Sequence, residues 1–126
     1  MRLVLDSSIL IDFLRGDPRA QQTVLDAVEA EHELWGVVVS RTEVIAGMRE
    51  DEAEATLGLL DRLCWLAVDQ EVADRAGQLA RRYLRTHPGV GTVDYLIAAG
   101  VQALDASLVT MNVRHFPMFQ GLRAPY

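Results

Sequence analysis

Three acidic residues stand at positions where a parallel α/β sheet could gather their carboxylates. Asp6 directly follows the apolar run RLVL, Glu43 comes shortly after the apolar run WGVVVS, and Asp94 is the second residue of the apolar stretch VDYLIAAGVQAL. In open sheets of parallel strands, ligands bind beyond the carboxyl ends of the strands, where the following helices begin. We therefore expect the three carboxylates to meet at one edge of the sheet.

Converging carboxylates call for a cation between them. Their mutual repulsion raises their pKa values unless a positive charge neutralises it. Hard oxygen ligands with few other donors suit Mg²⁺ or Mn²⁺, which keep several waters and accept phosphate oxygens as further ligands. A metal held in this way would also let an acidic protein bind a phosphate, because the ion supplies the positive charge.

Each acid also has a purely structural explanation. Asp6 fits the N-cap of the first helix, and Ser40 with Glu43 matches a capping box at the start of another. Asp94 fits the first turn of a helix, where it would complement the macrodipole. Ser, Thr or Asn would cap equally well without crowding carboxylates, and the sequence leaves both explanations open.

The composition limits the possible classes of protein. The chain has 126 residues, half of them hydrophobic, which fits one domain with a sizeable core. Its net charge of −6 argues against a general polyanion binder, so nucleic acid would need a local basic patch or bound cations. All twelve basic residues are arginine, which excludes any mechanism that needs a lysine. The single cysteine, Cys64, excludes an intrachain disulfide, and its apolar neighbours predict a buried thiol.

Apolar runs alternate with helical periodicity along the chain. RLVL, LWGVVVS, WLAV and SLVTMN are typical of strands, and the segments between them have the spacing of amphipathic or buried helices. The alternation predicts a single α/β domain over residues 1–126, an α/β/α sandwich with a central, mostly parallel sheet of four to five strands. The opening apolar stretch is interrupted by Asp6 and Asp12, well short of the ~20 residues that span a bilayer.

Four segments of the chain form a recognisable set of motifs: LVLDSSILIDFLRGD, SRTEVIAGM, VDYLIAAGVQAL and LVTMNVRHF. In this order and spacing, the set resembles the motifs of the PIN-domain ribonucleases, and especially the VapC-type toxins of prokaryotic toxin–antitoxin pairs. The resemblance covers essentially the whole chain, and four motifs in order are far more specific than one.

The resemblance implies roles for particular residues. Asp6, Glu43 and Asp94 match the acidic metal-binding residues of the family. Ser8 matches a hydroxyl position near the metal, and Asn112 matches the asparagine of the last motif. By resemblance, these five residues form the catalytic site.

The chain departs from the family pattern at one position. Many members have a fourth acid shortly after the asparagine, where this chain has His115. The number of Mg²⁺ or Mn²⁺ ions, one or two, therefore stays open. Structural explanations also remain, with Asn112 as a helix cap and His115 packed beside Phe116.

The resemblance also implies an activity and partners. The expected reaction is metal-dependent endonucleolytic hydrolysis of RNA, leaving 5′-phosphate and 3′-hydroxyl ends. The expected partners are an RNA substrate and a cognate antitoxin, within a homodimer or a hetero-oligomer, in the cytoplasm and without a membrane. The arginines available to position RNA are Arg41, Arg49, Arg81, Arg82, Arg85 and Arg114. The alternative for the cluster at 81, 82 and 85 is a solvated outer helix face.

Two functions from other classes compete with this interpretation. A phosphoacceptor signalling domain has similar length and acidic strand ends, but it relies on a lysine that this chain lacks. A non-catalytic PIN-fold binding module would keep the fold and use its acids only for capping or a structural ion. Convergence of Asp6, Glu43 and Asp94 at an open cleft would favour the enzyme.

Overall fold

Four parallel strands and six α-helices alternate along the chain in the computed structural model, which describes residues 1–126. The elements are β1 (Arg2–Leu5), α1 (Ser7–Leu14), α2 (Pro18–Glu29), β2 (Glu33–Val37), α3 (Val38–Gly47), α4 (Ala53–Leu60), β3 (Cys64–Leu66), α5 (Gln70–Tyr83), α6 (Thr92–Ala103) and β4 (Ser107–Val109). Single 3₁₀ turns occupy Glu50–Glu52 and Val113–His115. The strand order is β3-β2-β1-β4, and every pairing is parallel. The predicted α/β fold with a parallel central sheet is confirmed.

The central strand β1 is apolar because it is covered on both faces. Adjacent strand residues point to opposite faces of a sheet. Val4 accordingly belongs to a buried cluster with Ile97 and Val101 of α6, whereas Leu5 belongs to a second cluster with Leu10 and other residues of α1 and α3. β1 thus carries the residue that follows it, Asp6, to the middle of the carboxyl edge of the sheet.

Helix α6 packs unusually close to the sheet at Gly100. A Cβ atom at this position would lie 2.5 Å from Val37 Cγ2 and 3.2 Å from Leu66 Cδ2. Only a glycine therefore lets the helix approach strands β2 and β3 this closely. On its other side α6 packs against α5, through a cluster that includes Tyr95, Ala99 and Val72.

The end of β2 differs from the sequence prediction. The strand ends at Val37 and α3 begins at once, so Ser40 lies inside the helix and is fully buried. Its hydroxyl has no hydrogen-bond partner, and the predicted capping box of Ser40 and Glu43 is wrong. The β-branched run favours a strand locally, but Val39 packs against the α6 cluster from a helical position, and this tertiary contact prevails.

The prediction of a buried thiol is also wrong. Cys64 is exposed because it is the first residue of β3, the strand at one edge of the sheet. None of the helices is both long enough and apolar enough to cross a membrane.

Candidate active site

Asp6 lies at the junction of β1 and α1 and is 3% exposed. It has extended backbone angles and occupies the N-cap position, but its side chain makes no capping hydrogen bond. Instead, Oδ2 accepts hydrogen bonds from Ser8 Oγ at 2.9 Å and from Thr110 Oγ1 at 2.7 Å. The capping explanation for this carboxylate is therefore wrong. Oδ1 accepts no hydrogen bond and is not among the buried unpaired atoms, so it keeps some exposure.

A network of hydroxyl groups joins β4 to this carboxylate. Thr110, fully buried just beyond β4, donates to Asp6 and accepts from the backbone N–H of Asn112 at 2.9 Å. Ser8 donates to the same carboxylate oxygen and accepts from the backbone N–H of Met111 at 3.1 Å. The predicted role of Ser8 beside the acids fits this position. The sequence interpretation missed Thr110, whose only signal was a hydroxyl residue at the end of an apolar strand.

Glu43 lies in the middle of α3 and points toward the same edge of the sheet. Its Oε1 accepts a hydrogen bond from Ser7 Oγ at 3.0 Å, a contact that sequence reasoning also missed. Burial raises the pKa of Glu43, and the negative charges of Asp6 and Asp94 raise that pKa further, against the opposing effect of the Ser7 hydrogen bond. The charges of the three acids therefore act on one another.

Asp94 stands in the first turn of α6, with its side chain 19% exposed. Its Oδ2 accepts the backbone N–H of Gly91 at 3.0 Å, which confirms the predicted role at the helix start. The same oxygen lies 3.4 Å from Nδ1 of His115, a half-exposed residue of the last 3₁₀ turn. His115 thus contacts the acid cluster. The next residue, Phe116, is buried in the core.

The remaining predicted residues are Asn112 and six arginines. Asn112 is exposed at the rim of the site and forms no side-chain cap for the turn that follows, so its capping explanation is wrong. Arg41 lies over the Trp65 ring at 5.0 Å, and Arg49 pairs with Glu52 at 3.0 Å, so both are engaged away from the acids. The other four predicted arginines, Arg81, Arg82, Arg85 and Arg114, are exposed and form no ion pair.

The oxygen ligands at this site are of the kind that a hard divalent cation prefers, but their side chains do not converge on one point. Carboxylates from three separate elements, with a serine hydroxyl beside them, are ligands that Mg²⁺ and Mn²⁺ prefer. In their present conformations no three Asp, Glu, His or Cys side chains form a group that could hold a metal ion. The carboxylates instead accept local hydrogen bonds from Ser8 and Thr110, from Ser7, and from the Gly91 backbone.

Comparison with known proteins decides the family. Residues 3–118 match the sequence model of the PIN domain. The chain belongs to the PIN-domain family. The resemblance seen in the four motifs is thereby confirmed over nearly the whole length of the chain.

This PIN domain has full-length relatives. It is 41% identical to ribonuclease VapC19 of Mycobacterium tuberculosis over 126 residues, which cover all of both chains. It is 40% identical to ribonuclease VapC10 of the same organism over 124 residues, or 98% of this chain and 92% of the relative. Among solved structures, a toxin–antitoxin complex from Klebsiella pneumoniae contains a chain that matches with a TM-score of 0.78 and 25% identity over 98% of each chain.

Proposed function

We propose that this PIN domain is an endoribonuclease that hydrolyses RNA phosphodiester bonds with a divalent cation, and that it is the toxin of a toxin–antitoxin pair. Residues 1–126 would form one nuclease domain. The observation that carries the proposal is the placement of three acids at the carboxyl edge of the sheet: Asp6 directly after β1, Glu43 hydrogen-bonded to Ser7 at the start of α1, and Asp94 in the first turn of α6. The names of the two mycobacterial relatives support the reaction class.

The three carboxylates would hold one or two Mg²⁺ or Mn²⁺ ions. When bound, such an ion activates a water molecule for attack on phosphorus and stabilises the negative charge that develops there. Ser8 and Thr110 fix the Asp6 carboxylate through Oδ2 and leave Oδ1 available. Ser7 holds Glu43, and the Gly91 N–H holds Asp94 in the first turn of α6. The amide of Asn112, exposed at the rim, can donate a hydrogen bond to a phosphate oxygen.

An antitoxin would be the natural protein partner of this nuclease. The similar Klebsiella chain comes from a toxin–antitoxin complex, and another structural match with a TM-score of 0.80 comes from a DNA-bound VapBC structure from Salmonella typhimurium. By the same analogy, we place the protein in the cytoplasm, in a homodimer or in a hetero-oligomer with its antitoxin.

The proposal is tested with purified, antitoxin-free protein and structured RNAs, with Mg²⁺, with Mn²⁺ and with EDTA. Asp94→Asn removes a charge from the site, and Asp105→Asn removes one from the exposed turn after α6 as the matched control. We expect cleavage that requires metal, is lost in the first variant and is unchanged in the second. Calorimetric titration with Mn²⁺ should show binding to the wild type and weakened binding to Asp94→Asn. Equal cleavage by both variants, or cleavage in EDTA, would mean that these acids are not the nuclease site.

A second candidate is a non-catalytic binding module. It is favoured by the local hydrogen bonds of the three carboxylates, which give no group of ligands at metal-binding distance. The cleavage assay distinguishes the two, because this candidate predicts no metal-dependent cleavage of any RNA, whether or not its acids hold a structural ion.

A further inference from the structure

The positive charge of this acidic protein is concentrated in one stretch. Between Asp74 and Asp94 the chain has four arginines and no acidic residue. The other eight arginines share the rest of the chain with all eighteen acids. Arg75 and Arg82 line a surface cleft together with Glu71 and Asp74, but residues 81–91 themselves contain three arginines and no acid. The excess therefore lies in residues 81–91, the end of α5 and the connection to α6, called here the α5–α6 segment.

The arginine side chains of the α5–α6 segment are free to bind a ligand. Arg81, Arg82 and Arg85 are exposed and form neither ion pairs nor side-chain hydrogen bonds with the protein. By contrast, Arg19 and Arg49 pair with nearby carboxylates at 2.9 and 3.0 Å. Unpaired guanidinium groups can each bind a phosphate through two parallel hydrogen bonds.

Aromatic rings lie among these arginines. The guanidinium of Arg82 lies 5.5 Å from the centre of the Tyr83 ring, and Tyr83 in turn meets His87 edge to face at 5.8 Å. Both rings are partly exposed. Cationic side chains interleaved with aromatic rings are the surface on which proteins bind single-stranded nucleic acid, through phosphate contacts and base stacking.

The segment is tied directly to the acid cluster. The backbone N–H of His87 donates to the carbonyl of Tyr83 at 2.9 Å, and that of Val90 donates to His87 at 3.2 Å. Val90 is buried against Tyr95, and the N–H of Gly91 donates to the Asp94 carboxylate at 3.0 Å. A short, hydrogen-bonded connection therefore joins the end of α5 that carries the arginines to the helical turn that carries Asp94.

The structural alternative for these residues is stabilisation of the C-terminal end of α5. Arginines in a last helical turn do complement the macrodipole, and Arg81 and Arg82 occupy that turn. Arg85, however, lies beyond the helix end at Tyr83. Ordinary solvated faces in this protein also mix both signs of charge, as α2 does with Arg19, Asp26 and Glu29.

We propose that the α5–α6 segment is the RNA-binding surface of this protein, where Arg81, Arg82 and Arg85 bind backbone phosphates of a single-stranded segment next to the bond to be cut. The inference rests on the proposed nuclease function and specifies the substrate contact of that site. A local cluster of arginines also explains how a chain of net charge −6 binds a polyanion, because the positive charges that contact the RNA are concentrated on one surface.

The test compares Arg82→Gln/Arg85→Gln with Arg15→Gln/Arg62→Gln, a control that removes the same charge from exposed, unpaired arginines. Arg15 follows α1 and Arg62 precedes β3, which places both toward the amino edge of the sheet. Binding of a fluorescein-labelled, single-stranded RNA of about 12 nucleotides is measured in EDTA over a range of KCl concentrations. Circular dichroism melts confirm that both variants are folded.

We expect the α5–α6 variant to bind RNA about tenfold more weakly, and the slope of log Kd against log [KCl] to fall by about 1.4, the value for two lost phosphate contacts on a single strand. The control should change little. In cleavage assays with metal, the α5–α6 variant should raise KM and leave kcat near the wild-type value.

Two outcomes would overturn the proposal. One is equal RNA affinity and equal salt dependence in the two variants. The other is unchanged RNA binding with loss of binding to polyglutamate, which would assign the segment to an acidic protein partner. If the wild type cuts no RNA but the α5–α6 variant still loses RNA affinity, the surface stands and the nuclease proposal fails.

Discussion

Replacing Thr110 with valine tests the hydroxyl network behind the Asp6 carboxylate. Valine keeps the shape of the fully buried side chain but removes its donor to Asp6 Oδ2, at 2.7 Å, and its acceptor for the Asn112 N–H, at 2.9 Å. A hydrogen bond to a charged group contributes about 1.5–3 kcal/mol. The second bond is partly buried, and its loss leaves the Asn112 N–H beside a valine methyl group, so it adds to the first loss. We therefore expect the free energy of unfolding to fall by about 2–3 kcal/mol.

The measurement is urea denaturation of the metal-free protein at neutral pH, with Thr110→Ser as the matched variant. Serine keeps the hydroxyl and loses one methyl group from a packed site, which costs about 1 kcal/mol. Valine should therefore be the more damaging substitution, although it preserves more apolar contact. The midpoint should shift without a change in slope if only the native state is affected.

A double-mutant cycle shows how much of the lost stability comes from the hydrogen bond between Thr110 and Asp6. With Asp6→Ala already present, the acceptor is gone, and Thr110→Val should then cost under about 1 kcal/mol. A cost that is the same in both backgrounds, or a valine variant as stable as the serine variant, would refute the assignment of this hydroxyl to the carboxylate.

Two further predictions concern charge and packing. Because the pKa of Glu43 is raised on folding, the native state binds this proton more tightly than the unfolded chain, and stability falls as the pH rises through and above about 4.3. Glu43→Gln should therefore melt at a higher temperature than the wild type at pH 7 in EDTA, with the difference gone below about pH 4; an equal or lower melting temperature at pH 7 would contradict a pKa raised by burial and by the neighbouring acids. Gly100→Ala should lose about 1–2 kcal/mol of stability, because its methyl group would meet Val37 at 2.5 Å and overpacking outweighs the gain in helix propensity. The control Gly77→Ala has nothing within 4 Å and should gain up to about 1 kcal/mol in the same melts; a stabilised Gly100→Ala would contradict the close approach of α6.

The sequence was sufficient for the fold and for the position of two of the acids. The run RLVL is apolar at every residue after the arginine, and that pattern correctly predicts a strand covered on both faces, with Asp6 at its end. The start of α6 was also predictable, since the nearly all-apolar stretch TVDYLIAAGVQAL begins directly after Gly91. Strands and helices of this kind are specified by local periodicity, which a single sequence contains.

The errors arose where distant contacts override local preference. The valines before Ser40 favour a strand by propensity, yet Val38 and Val39 belong to α3 because Val39 packs against the α6 cluster. The hydroxyl groups of Ser7 and Thr110 were missed because their partners, Glu43 and Asp6, are 36 and 104 residues away in the chain. No short-range pattern distinguishes such a hydroxyl from an ordinary strand or helix residue.

Because Gly100 has no side chain, the position of α6 on the sheet does not depend on the sequence of the loops around the cleft. Helix α6 rests directly on Val37 and Leu66. The distance between the helix and these residues determines where Asp94 lies relative to Asp6, the residue that follows β1. The spacing between the elements that carry these acids is therefore set from inside the core, and the connection before α6 adds only the hydrogen bond from Gly91 to the Asp94 side chain. Substitutions in the loops around the cleft can accumulate and redirect the protein to new ligands, while the geometry of its chemical centre is inherited unchanged.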